Sequence, residues 1–539
     1  MYIVIFLTCI CSFFVSQSYA TVYDVVVYGG TSAGVMAAVQ AAKMQKSVIL
    51  VEPGKHLGGM TSNGLSYIDI LNTSTIGGLC REYFFHVWMH YQNSSAWVWE
   101  PKTILPNQDG MPVIDEKVMW LLEPHIGERI FKLMIASEKV PVLFGERLDR
   151  ENGVCKQNQN ITHITMVSGT RIAGKVFIDA TYEGDLMAAA GVSYTIGRES
   201  NQQYGETLNG VFVNRKTVPF PVDPYQKQGS PESGLLPRVY PFPAGLEGEG
   251  DSGVQAFAYR LCLTNIPQNR VPIDKPNDYD EKNYELVFRL IEAGDKKVFF
   301  KQSSLPNCKI DANSSGPVSM DFIGMSWSWA EADDVTRLQI AKEHEGWQRG
   351  LLWTLQNHPR IPEEIRISNL QWGLAKDEFV DNGHWPYQLY VREARRMVSD
   401  FVLTEAYAMR EQKTDDTIGI ASYRIDSHAV KYCLNDKGLL TTEGAIIGKP
   451  PLPFPISYRA IIPKREECSN LLVPVCLSAS HIGFCGIRTE PIFMILGQSA
   501  GIAASLSIEL DLPLHNLPYV ILKQRLLEAK QVVDYPILH

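Results

Sequence analysis

Tyr23-Asp24-Val25-Val26-Val27-Tyr28 runs into Gly29-Gly30-Thr31-Ser32-Ala33-Gly34, then an Ala-rich stretch from Val35 to Met44, then Val48-Ile49-Leu50-Val51-Glu52. The two apolar runs read as parallel strands buried on both faces, and the Ala-rich stretch as a helix packed closely on them. The glycines make the turn from the first strand into the helix. Such a βαβ unit aims backbone N–H groups and the positive end of a helix at a pyrophosphate. Glu52 comes 18 residues after Gly34, where a carboxylate accepts a hydrogen bond from a ribose hydroxyl and repels a 2′-phosphate. In the G-x-G-x-x-G frame Gly29 and Gly34 hold the first and third places and Thr31 the second. Thr31 must therefore turn its side chain away from a pyrophosphate or offer it a hydroxyl. Gly30, Ser32 and Ala33 complete the loop as candidate dinucleotide contacts. The bland alternative is a βαβ crossover with no ligand. A strict match, Gly248-Glu249-Gly250-Asp251-Ser252-Gly253, follows a Pro-rich stretch rather than a strand. Its two acids would repel phosphate, and it is set aside.

The chain has 539 residues, enough for two large or three modest domains, with 45% hydrophobic and 20% charged residues. A net charge of -9 argues against nucleic acid or an anionic membrane surface as the main partner. Ile3 to Val15 is an apolar stretch too short to span a bilayer, and Ser18-Tyr19-Ala20 has small-x-small spacing. Residues 1–20 are therefore expected to be a cleaved signal peptide, and the mature protein secreted or lumenal. No later stretch reads as a membrane span. Removal of Cys9 and Cys11 leaves eight cysteines, an even number that permits disulfides in an oxidising compartment. None has C-x-x-C spacing, and no metal site is expected. Sequons at Asn72, Asn93, Asn160 and Asn313 suit a glycoprotein.

After Glu52, Pro53 to Gly64 is dense in glycine. Gly58, Gly59 and Met60 are placed to let backbone approach a flat group such as a flavin ring. Residues 76–92 and 118–139 have helical spacing, with Pro124 breaking the second near its start. Val140 to Phe144 reads as a strand, Ile164 to Val167 and Arg171 to Ile172 as a hairpin, and Lys175 to Thr181 as another buried strand. The latter runs into a small-residue turn, so Asp179, Ala180 and Thr181 are candidate cofactor contacts; turn and helix capping is the plain reading of Asp179 and Asp185. Seven prolines between 219 and 243 mark a break, and a boundary is placed near 210. Beyond it, 255–263 reads as a strand, and 284–293, 331–358 and 387–407 as helices. Arg392 and Arg395 would share a face of the last, holding an anionic substrate or an ion-pair network. Asn470 to Val475 reads as a strand, and Pro491 to Leu506 as a helix whose start can face a reduced flavin. His481 is a candidate base or a packing residue. Arg198 and Arg488 are candidates for stabilising charge or for structural pairing.

Tyr28 to Gly34, Glu52-Pro53 with His56 to Ser62, Phe177 to Asp185 with Gly197-Arg198-Glu199, Tyr390 to Met397, and Ser478 to Gly501 together resemble the FAD-dependent oxidoreductases of the glutathione-reductase-like Rossmann type. The likeness is to a secreted branch often labelled xanthan lyase, and it covers nearly the whole mature chain. It implies an α/β fold: a discontinuous FAD-binding Rossmann-type domain (21–210 and 455–539) with an inserted α+β substrate domain (211–454). It also implies FAD held at Gly29, Gly34 and Glu52, with Arg488-Thr489-Glu490-Pro491 near the isoalloxazine. The expected reaction is hydride transfer from a small alcohol, sugar or amine to flavin N5, as an oxidase using oxygen before a dehydrogenase. His481 and Arg488 are the candidate catalytic residues. A polysaccharide lyase-like protein and a non-catalytic binding protein on the same scaffold are the alternatives.

Overall fold

Strand β1 (Val22–Tyr28) lies at the centre of a sheet whose order is Val142–Phe144, β2 (Val48–Glu52), β1, Arg171–Asp179, Asn160–Thr165 and Val154–Gln157. In the computed structural model, which describes residues 21–103, 114–212, 218, 220–241, 245–296, 300–448 and 453–535, the first four strands are parallel. The expected signal peptide, residues 1–20, lies outside the described residues. Val25, Val26 and Val27 have no exposed surface, because helices and loops cover both faces. Full burial of a side chain of this class contributes about 1.5–3 kcal/mol. Arg171–Asp179 is one continuous strand. Asn160–Thr165 pairs antiparallel with its first half, and Leu471–Leu472 pairs parallel with its second half.

Helix α1 (Ser32–Lys43) crosses between β1 and β2 as the Ala-rich pattern requires. Against it lies a second helix, Glu490–Leu510, whose Gly497 and Gly501 press on the backbone of Ala33 and Ala37. A Cβ at either glycine would strike a carbonyl oxygen of α1. The Gln498 Nε2 amide donates to Gln40 Oε1 at 2.9 Å across this contact. Contrary to the expectation of no later span, Glu490–Leu510 is long and apolar enough to cross a membrane. Its residues from Glu490 to Ser507 are all buried inside the fold, so the composition reflects a core helix.

The middle of the chain forms an antiparallel five-stranded sheet, in the order Arg270–Val271, Gly373–Ala375, Leu261–Thr264, Lys309–Ser314 and Phe300–Leu305. A long helix, Asp334–Asn357, begins where Asp333 accepts a hydrogen bond from Thr336 N–H. Several expectations are corrected. The predicted helix over 118–139 starts at Pro124, which serves at its first turn instead of kinking it. The strand over 255–263 shortens to Leu261–Thr264, and that over 470–475 to Leu471–Leu472. The predicted helix over 387–407 does not form. Its arginines bond to distant carbonyls and carboxylates, and those contacts fix an irregular path that ends in the short helix Glu405–Ala408. All eight cysteines of the described residues are separate thiols, six of them buried, so the expected disulfides are absent among them.

Candidate functional site

The parallel strands end on one side of the sheet, and there a cleft of about 610 Å³ opens. Its walls include Gly29, Gly30, Thr31, Glu52, Gly59, Asn63, Thr181, Tyr182, Glu183, Trp329, Arg337 and Tyr387. The volume is that of a cofactor or small-molecule site, about 300–1,000 Å³. A crevice beyond the carboxyl ends of parallel strands is where open α/β sheets bind ligands.

The loop between β1 and α1 forms the floor. Gly29 has φ +99°, a left-handed conformation that costs glycine nothing. A Cβ on Gly30 would come within 2.6 Å of Leu57 and 2.8 Å of Glu52, and one on Gly34 would collide with the Gly29 carbonyl. Only backbone fits this cradle. Thr31, at the place of the missing glycine, is the N-cap of α1. Its hydroxyl accepts from Gly34 N–H (3.2 Å) and donates to Ala180 O (2.7 Å), so it is turned inward. The first N–H groups of a helix have no acceptor within it, which leaves those of Ser32 and Ala33 at the helix end that opens on the cleft.

Glu52 accepts from Gly30 N–H and Gly54 N–H, each at 2.6 Å. Burial pushes its carboxyl up to about 7, although both N–H groups pull the other way. Gly58 N–H donates to Gly30 O (2.8 Å), and Met60 N–H donates to the Tyr182 hydroxyl (2.9 Å), tying the glycine-rich loop to the floor. Asp179 is fully buried and accepts from Thr181 N–H, the Thr181 hydroxyl and Met187 N–H. It is a turn cap behind the cleft; the Ala180 backbone donates to Tyr28 O and accepts from the Thr31 hydroxyl, and Thr181 faces the cleft. Basic side chains that no motif had marked sit on the rim: Lys55, Arg147, Arg150 and Arg337. Arg337 holds Asp185 through two bonds (2.6 and 2.9 Å), and Arg150 reaches Asp334 (3.2 Å). At the opposite wall the ring of Tyr387 stacks on His56 at 3.3 Å.

Glu490 opens the helix Glu490–Leu510 and is buried, its carboxyl accepting from the Tyr182 hydroxyl (2.6 Å) and the Thr61 hydroxyl (2.9 Å). Burial raises it above the ordinary glutamate range, against the pull of Tyr182. Pro491 follows at the first turn. Neither is among the residues lining the cleft; both support Thr61 and Tyr182 beneath it.

His481 and Arg488 are not brought to the cleft. His481 is 1% exposed, with Nδ1 2.9 Å from Glu393 Oε2 and Nε2 3.3 Å from the Ser427 hydroxyl. Burial alone would lower its pKa, but Cys485 and the Glu393 carboxylate hold it up at about 10. Its burial and its bond to Glu393, away from the cleft, suit the packing reading rather than the base. Arg488 donates to Asp426 O (2.6 Å) and to the Tyr390 hydroxyl (3.2 Å). Arg198 is structural: it forks onto Asp251 (2.9 and 2.7 Å) and also holds Glu443. That fork also accounts for the glycine motif at 248–253, which is tied down by an arginine.

The glycine cradle, the helix end and the Glu52 carboxylate at the end of β2 fit the adenine and pyrophosphate half of a dinucleotide. A family model described as FAD dependent oxidoreductase matches residues 24–526. No curated protein matches the chain. Among solved structures it is similar to L-proline dehydrogenase from P. horikoshii (15% identity, 34% of this chain and 59% of that one, TM-score 0.23). It is also similar to the flavin-dependent brominase Bmp2 (16% identity, 33% and 42%, TM-score 0.24). A third is a flavin-containing monooxygenase from Stenotrophomonas maltophilia (15% identity, 33% and 42%, TM-score 0.19). The chain spans less than two thirds of each.

Proposed function

We propose, from the premise that this chain belongs to the FAD dependent oxidoreductase family and takes FAD as its cofactor, that it oxidises a small alcohol, sugar or amine with oxygen as electron acceptor. The observation that carries the reading is the open cleft at the ends of the parallel strands, floored by a loop that only glycine backbone can form. Bound FAD would supply an acceptor for the hydride of a substrate C–H bond. The chain's part is to hold and orient. Ser32 and Ala33 N–H groups and the rim arginines would take the pyrophosphate, Glu52 a ribose hydroxyl, and the loop 58–60 the ring system. Thr61, Tyr182 and Glu490 form a bonded support under that loop.

Among the described residues one dinucleotide loop opens on the cleft and no second docking unit for a nicotinamide is evident, which favours oxygen. Export is part of the proposal. Its support is the pattern of residues 1–20, together with the exposed positions of the Asn93 and Asn160 sequons. The test is the visible spectrum of the purified protein, followed by anaerobic addition of candidate substrates and a peroxide assay in air. Bound yellow flavin that bleaches and then yields peroxide supports an oxidase. Bleaching without peroxide supports a dehydrogenase, and flavin that no substrate bleaches removes the redox reading.

A further inference from the structure

The cleft is walled in part by the middle of the chain. Asp334, Arg337, Leu338 and Ala341 all line it, and their spacing of i, i+3, i+4 and i+7 puts them on one face of the helix Asp334–Asn357. Two sets of ion pairs fasten that face to the segments that follow the parallel strands. Asp334 holds Arg147 (2.8 Å) and Arg150 (3.2 Å), and Arg337 holds Asp185 (2.6 and 2.9 Å). The second is the firmer. The Arg337 and Asp185 side chains are each 11% exposed, whereas Arg147 is 53% exposed, and a pair so open to water contributes little.

Contacts along the chain place this face at the Glu52 end of the cleft. Glu52 pairs with Phe144 across neighbouring parallel strands, and its carbonyl accepts from Glu146 N–H (3.2 Å). Arg147 comes next and reaches Asp334, and Leu338 lies one helical turn beyond Asp334. The glycine-rich loop at 58–60 is tied elsewhere, to the Tyr182 hydroxyl. Leu338 is 57% exposed. A lone exposed leucine is ordinary and needs no ligand to explain it. This one stands on a cleft wall with Ala341 on the same helix face, near the carboxylate that ends β2. A purine has flat apolar faces and polar edges, so a leucine backed by an alanine offers its face what charged side chains cannot.

We propose that Leu338, backed by Ala341, covers the adenine of FAD, so that the middle of the chain and the βαβ unit hold the adenosine half of the cofactor together. Leu338 is then a specificity residue: it helps the site take a dinucleotide in preference to flavin mononucleotide, which has no adenine to cover. Asp334 and Arg337 are positioning residues that keep the helix face against the strand ends. The proposal concerns how the family's cofactor is held, and it stands whatever substrate the enzyme oxidises.

The test titrates the full chain, freed of flavin, with FAD, flavin mononucleotide and ADP, as wild type, Leu338→Ala and Leu338→Met. Position 338 is exposed and both replacements favour a helix, so the variants are expected to melt with wild type when no ligand is present. Losing carbons that the base had covered is expected to weaken FAD and ADP alike, by about 3- to 10-fold, and to leave flavin mononucleotide unaffected. Methionine, of similar volume, is expected to bring both affinities back to within about twofold of wild type. A second readout reports contact directly. In Leu338→Cys, alkylation at position 338 is followed by peptide mass, with the exposed Cys155 as internal reference. Saturating ADP is expected to slow labelling at 338 about 5-fold or more and to leave Cys155 unchanged, and flavin mononucleotide is expected to change neither. FAD and ADP affinities in Leu338→Ala within twofold of wild type overturn the proposal. So does a loss shared by FAD and flavin mononucleotide but not by ADP, which would put the residue at the flavin end. So does labelling at 338 that ADP leaves unchanged.

Discussion

Replacing Glu52 with glutamine separates what the carboxylate costs the fold from what it does for the cofactor. Burial raises this carboxyl from 4.5 to about 7. At about 1.4 kcal/mol per pH unit, the ionised form carries a folded-state penalty on the order of 3 kcal/mol. The folded carboxyl binds its proton more tightly than the unfolded one. Its contribution is therefore fully present below pH 4.5, falls as pH rises, and is lost above about 7. Glutamine has no proton to lose, but it offers one acceptor where the carboxylate offers two, so either Gly30 or Gly54 N–H loses its partner, at about 1–1.5 kcal/mol. The flavin-free variant should be less stable than wild type by about 1 kcal/mol near pH 4.5 and more stable by about 1–2 kcal/mol at pH 8, read by urea unfolding at both. FAD affinity should move oppositely. A ribose hydroxyl that had donated to a carboxylate would donate to a neutral amide, weakening binding by about 1–2 kcal/mol, or roughly 5- to 30-fold at pH 8. Titration of FAD fluorescence measures this. Unchanged affinity in the variant would refute the assignment of Glu52 to the ribose, whatever the stability change.

Thr31→Ala should lower stability by about 1 kcal/mol through loss of the α1 cap, with Thr31→Ser restoring most of it, read as melting temperature. Gly34→Ala places a methyl group against the Gly29 carbonyl. Overpacking of this kind costs about 1–3 kcal/mol, and the purified variant should show a reduced ratio of flavin to protein absorbance. His481→Ala leaves Glu393 short of a charge partner and should cost about 3–5 kcal/mol while the flavin spectrum of the folded fraction stays the same. The wild-type histidine is raised from 6.5 to about 10. Its contribution is therefore complete below pH 6.5 and fades as pH climbs toward 10, and the difference in unfolding free energy between wild type and variant should shrink over that window.

The βαβ unit was legible because its strands are buried on both faces and so appear as unbroken apolar runs, and because glycines are required at the turn. Val25 to Val27 and Gly34 could hardly be read otherwise. Thr31 was legible in part: the side chain does turn away, but its use as a helix cap depends on Ala180, far along the chain. The segment 387–407 misled because its arginines fall at helical spacing while their partners, among them Ala256 O, Gly197 O and Asp185, belong to other elements. Spacing along the sequence says nothing about such bonds. His481 reads as a candidate base or a packing residue, and what separates the two, its burial beside Glu393, 88 residues away, leaves no mark on the sequence.

The contact between α1 and Glu490–Leu510 joins residues such as Gln40 and Gln498, 458 positions apart. During synthesis the ribosome therefore releases α1 long before the helix that covers it exists. Until then one flank of α1 and the strand Arg171–Asp179 have no neighbour, and their apolar surface faces water. Assembly of this protein has to end with its carboxyl-terminal segment docking on its amino-terminal one, a long-range closure of the kind that slows folding. A chain that loses its last fifty residues should accordingly be recovered in aggregates rather than as a smaller soluble flavoprotein.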